Sequence, residues 1–84
     1  MSDVMPKRLA QLVEALLHNG WNFQIVHGKD TGDSPFVSVE ALKAGREHLC
    51  LTWHTRASGR YRLFSCMAGK HDITLGAALD EVTS

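Results

Sequence analysis

Leu9, Leu12, Val13, Leu16 and Leu17 recur at i, i+3, i+4, i+7 and i+8, the spacing that gathers side chains on one stripe of an α-helix. Lys7, Arg8, Gln11 and Glu14 fall mostly elsewhere on the wheel. Pro6 suits the first helical turn, and Asn19-Gly20 offers the left-handed conformation that closes a helix, so the pattern predicts a helix over 5–18. From Trp21 the period drops to two. Trp21, Phe23 and Ile25 alternate with Asn22 and Gln24, which predicts a strand over 21–27.

The run from Gly28 to Pro35 is turn chemistry throughout. Alternation resumes with Val37, Val39 and Ala41 against Ser38 and Glu40, a strand over 36–43. After Ala44-Gly45, Leu49, Leu51 and Trp53 oppose Cys50, Thr52 and His54 in a strand over 47–55. A fourth strand is expected over 61–67. Leu75, Ala78, Leu79 and Val82 return to helical spacing, with Thr74 as cap and Ile73 packing back onto the first turn, and predict a helix over 74–82. That helix is short and contains Gly76, so it forms only if docked on the sheet.

The hairpin between the third and fourth strands sets a register. Ala57-Ser58-Gly59 fits a three-residue loop closed by a left-handed glycine, with Arg56 opposite Arg60. Trp53 then faces Leu63, Leu51 faces Ser65 and Leu49 faces Met67 on the core side. His54 faces Arg62, Thr52 faces Phe64 and Cys50 faces Cys66 on the other. A two-residue Ser58-Gly59 turn would slip the fourth strand by one residue and exchange its faces, moving Phe64 and Cys66 to the core side. The three-residue loop is the preferred reading.

The expected fold is therefore a single α+β domain over 1–84, ordered α-β-β-β-β-α, with both helices packed on one face of a mainly antiparallel four-stranded sheet. Composition agrees: 84 residues with 44% hydrophobic content make one small domain. A chain of this size buries roughly 60% of its unfolded surface, which leaves little room for a deep catalytic cleft. The stretch Leu9–Leu17 is interrupted by Gln11 and Glu14, unlike a signal peptide or membrane span, and only two cysteines are present. Those features point to the cytoplasm and away from membranes.

No constellation carries a reaction. Cys50 and His54 have metal-like spacing, but in a strand four positions span about 13 Å, too far to clasp one ion, so no metal or cofactor is expected. Cys50 and Cys66 lack the Cys-x-x-Cys arrangement of redox sites. Asp30-Thr31-Gly32 matches the tripeptide of aspartic proteases, yet Gly28-Lys29 precedes it where that family has an apolar strand, and a leading helix does not suit an all-β enzyme. Gly28-Lys29 is no phosphate loop either, since Phe23 stands where the first glycine is required. The chain is read as a non-enzyme.

Charge placement is more informative. The chain is neutral overall, but residues 43–62 carry net +4 and each flank carries −2. His54, Arg56, Arg60, Tyr61 and Arg62 cluster at one hairpin tip, a surface for acidic side chains or phosphate. Gln24, Glu40, Thr52 and Phe64 fall on the sheet face away from the helices, where Phe64 lacks a cover. Trp21, Phe23 and Trp53 belong to the core parity. The leading expectation is a small non-enzymatic accessory protein, of the kind phages and mobile elements carry, that binds another protein or itself through the open sheet face or an edge strand. The alternative is a nucleic-acid-binding module using the basic hairpin 54–62.

Overall fold

The structure, a computed structural model, describes residues 6–29, 31–32, 34–55 and 60–84. Its elements run α1 (Lys7–His18), β1 (Asn22–Lys29), β2 (Pro35–Leu42), β3 (Leu49–Thr55), β4 (Tyr61–Ala68), β5 (His71–Asp72) and α2 (Leu75–Thr83). The strands lie in chain order in one antiparallel sheet of five, one more than the pattern predicts. β5 escapes sequence reading because two polar residues carry no alternation. It forms because Gly69, at φ 61°, turns the chain straight back so that Ala68 pairs with His71 and Met67 with Asp72.

Element ends shift slightly. α1 begins after Pro6, and of the Asn19-Gly20 pair Gly20 alone takes the left-handed conformation, at φ 73°. Asn19 instead donates its Nδ2–H to the Ala15 carbonyl at 2.7 Å. Trp21 precedes β1 rather than opening it, buries its ring, and donates its Nε1–H to the Val82 carbonyl at 3.2 Å. Thr74 caps α2 as expected, its Oγ1 accepting the Ala77 N–H at 3.0 Å.

One cluster forms the core. Leu9, Leu12 and Leu16 of α1 and Ala78 and Val82 of α2 share it with Val37, Val39 and Ala41 of β2 and Leu49, Leu51 and Trp53 of β3. Each fully buried leucine or valine contributes about 1.5–3 kcal/mol. Leu17, read as part of the buried stripe, is 66% exposed. It sits about a quarter turn off the Leu9–Leu12–Leu16 face, too far round to reach the sheet.

The β3–β4 ladder contains both registers weighed from sequence, one in each half. Near the tip, Thr55 faces Tyr61, His54 faces Arg62 and Trp53 faces Leu63. Beyond a bulge between Thr52 and Trp53, Thr52 faces Ser65, Leu51 faces Cys66, Cys50 faces Met67 and Leu49 faces Ala68. Phe64 is the extra residue. The expected pairs Thr52–Phe64, Leu51–Ser65, Leu49–Met67 and Cys50–Cys66 are therefore absent. A bulge spares a choice between faces: Leu63 and Cys66 both reach the core, which no regular two-residue period allows. The turn residues Arg56 to Gly59, on which the loop argument rested, lie outside the described residues.

Candidate interaction surface

With Val37, Val39, Leu49, Leu51 and Trp53 committed to the core, the alternate positions of the same strands make an open face. Its rows follow from the pairing. Gly28, Phe36, His54 and Arg62 form one, Val26, Ser38, Thr52 and Ser65 the next, and Gln24, Glu40, Cys50 and Met67 the third.

The first row is aromatic. The Phe36 ring covers Gly28 so closely that a Cβ there would lie 2.7 Å from the ring tip. His54 tilts against Phe36 with ring centroids 5.5 Å apart, and Phe64 tilts against His54 at 4.6 Å. Phe64 keeps the parity of Arg62, and the bulge leaves it without a partner across the ladder. An unpaired residue on a bent strand projects from the ladder, and Phe64 is 72% exposed. His54, Thr55, Arg62, Leu63 and Phe64 line a shallow pocket beside it.

The middle row is small and hydroxylated. Ser38 Oγ lies 3.1 Å from Thr52 Oγ1 and donates to the Leu51 carbonyl at 3.2 Å. Glu40, in the third row, meets His48 Nε2 at 3.4 Å. A second shallow pocket there is lined by Asn22, Phe23, Gln24, Glu40 and Leu42, and Leu42 is 55% exposed.

The residues expected to form one surface thus divide. His54, Arg62 and Phe64 come together. Gln24 and Glu40 face each other on the same side but four positions away along the strands, about 13 Å from His54. Thr52 lies between. Tyr61 turns to the opposite side and packs on the core, since it shares its parity with Leu63. Arg60 is exposed, and Arg56 lies outside the described residues, as do Asp30 and Asp33.

The basic segment 43–62 is also less concentrated than its net charge suggests. Lys43 donates to the Asn19 carbonyl at 2.7 Å, at the C-terminal end of α1. Arg46 grips the end of α2, with Nη1 on the Glu81 carbonyl at 2.9 Å and on the Glu81 carboxylate, and Nη2 on the Ser84 carbonyl at 2.7 Å. Cations belong at helix C-termini, where unpaired carbonyls carry partial negative charge. Sequence reading missed both roles because the contacts span 24 and 35 residues.

Cys66 is buried and free, and Cys50 half-buried and free. Burial raises the Cys66 thiol above its ordinary pKa, reinforced by the charges of Cys50 and Asp72. Its Sγ reaches the Thr74 carbonyl at 3.7 Å, as a weak donor and not a nucleophile. Among the described residues no helix is long and apolar enough to cross a membrane. No protein-family model, curated protein or solved structure matches the chain.

Proposed function

We propose that this chain is a non-enzymatic accessory protein that binds a protein partner through the open sheet face, with Phe64 as the anchor. The observation that carries the reading is an aromatic side chain 72% exposed, lifted out of the ladder by a bulge and braced by His54. Aromatic anchors next to arginine carry much of the energy of protein interfaces. Phe64 beside Arg62 suits a partner segment that presents an apolar side chain with a carboxylate next to it. In this reading both helices cover the other face together, and the protein works in the cytoplasm, where Cys50 and Cys66 stay reduced.

One observation favours a second reading. The rings of Phe36, His54 and Phe64, with Arg62 next to them, would also let bases stack while guanidinium meets phosphate. The neutral chain and the engagement of Lys43 and Arg46 at helix ends weigh against it, because phosphate-backbone affinity scales with available cations.

The test is capture from lysate with and without nuclease, using wild type, Phe64→Ala and the triple variant Arg56→Ala, Arg60→Ala, Arg62→Ala. A protein retained after nuclease and lost with Phe64→Ala supports the leading reading. Nuclease-sensitive recovery that the triple variant also loses supports the second. Recovery indifferent to both variants overturns both.

A further inference from the structure

We infer that β1 is a self-pairing edge, and that two copies of this chain join their β1 strands antiparallel about a two-fold axis at Val26. β1 is an outer strand of the sheet and pairs with β2 along its whole length without irregularity. Pro35 has no N–H, so its pairing with Lys29 is of the non-hydrogen-bonded kind. The Pro35 carbonyl confirms this by accepting the Thr55 hydroxyl, on the β3 side, at 3.1 Å. Alternation along the ladder then has Gly28, Val26, Gln24 and Asn22 bonding to β2. Phe23, Ile25, His27 and Lys29 turn their N–H and C=O groups to the free edge.

Among the described residues no backbone group bonds to that edge. Solvent-facing edges are usually blunted by charge, proline or a bulge. Residues 22–28 contain no Lys, Arg, Asp, Glu or Pro, and the pairing is unbulged. Phe23 and Ile25, on the core side, are only half-buried, whereas Val37 and Val39 on the adjoining strand are closed over. The missing cover is what a further strand supplies.

A second copy fits, in one register. The cores of both copies stay on the same side only if residues of like parity oppose each other. Centring on Val26 sets Ile25 against His27 of the second copy and Phe23 against Lys29 of the second copy. All four outward-facing residues are then paired, and each lysine lies along a phenylalanine rather than a like charge. Centring on Ile25 would set Lys29 against Trp21, whose N–H is already taken by the Leu16 carbonyl at 3.0 Å. The contact is isologous, each β1 using its whole free edge on the other, so the association closes as a pair instead of growing.

The test is molar mass by gel filtration with light scattering. Wild type should run as a dimer. Val26→Lys, on the open face, places two ammonium groups across the axis and should run as a monomer with unchanged circular dichroism. Val26→Cys in a Cys50→Ser background should oxidise to a covalent dimer, a readout that holds even if Val26→Lys misfolds. Phe64→Ala should remain dimeric, which separates this inference from the partner reading above. A wild type that is monomeric up to its solubility limit, a folded Val26→Lys dimer, or a Val26→Cys variant that fails to cross-link overturns it.

Discussion

Phe64 and Cys66 are two residues apart on β4, yet one is mostly exposed and the other in the core. A strict alternation would have put both on the same face. The bulge at Phe64 separates them, so their chemistry is decided by one inserted position. For Cys66 the consequence is a thiol held above the ordinary value of 9.0, first by burial and then by Cys50 and Asp72. The folded thiol keeps its proton to higher pH than the unfolded one. Its contribution to stability is complete below pH 9.0 and lost as pH rises through the folded value. Urea midpoints should therefore fall above that pH in wild type more steeply than in Cys66→Ala. Alkylation of the native protein at neutral pH should label Cys50 well before Cys66, and equal labelling rates would contradict the burial of Cys66.

At the scale of elements, the β3–β4 hairpin holds two registers joined by a residue that pairs with nothing. Removing that residue should leave a regular ladder, because Leu63 still faces Trp53 and Ser65 still faces Thr52. We expect a Phe64 deletion to fold, with melting and circular dichroism close to wild type, and to lose the exposed anchor. Deleting Thr52 should be far more damaging, since it pulls β3 out of step with β2 as well as with β4. If the Phe64 deletion fails to fold, the bulge is holding twist that the packing requires. The two alternatives for this hairpin were legible in the residues, because both turn lengths suit Ala57-Ser58-Gly59. Their coexistence was not, since a bulge answers to packing on the sheet as a whole.

At the scale of the whole molecule, Arg46 ties the β2–β3 connection to the end of α2, across 35 residues of chain. Its pairing with Glu81 is partly solvent-exposed, which screens it, but the bonds to the Glu81 and Ser84 carbonyls also close a helix terminus. Arg46→Ala should cost about 1 kcal/mol, which for a domain of this size lowers Tm by roughly 4–8 °C. Thermal melting checks this, and an unchanged Tm would remove Arg46 from the account of stability. By itself the sequence determined the helices, the four long strands and most of the core, because periods of 3.6 and 2 are local properties of Leu9–Leu16 or Phe36–Leu42, while the order of the strands came from the structure. It also placed His54, Arg62 and Phe64 on one surface, since their parity is set by the hairpin tip. Tertiary structure alone decided the burial of Cys66, the exposure of Leu17, and the use of Lys43 and Arg46 at helix ends, whereas β5 is too short and polar to show a period and Tyr61 follows the parity of Leu63. That burial, that exposure and the two helix-end contacts depend on which elements meet in space, and no local pattern of residues encodes such meetings.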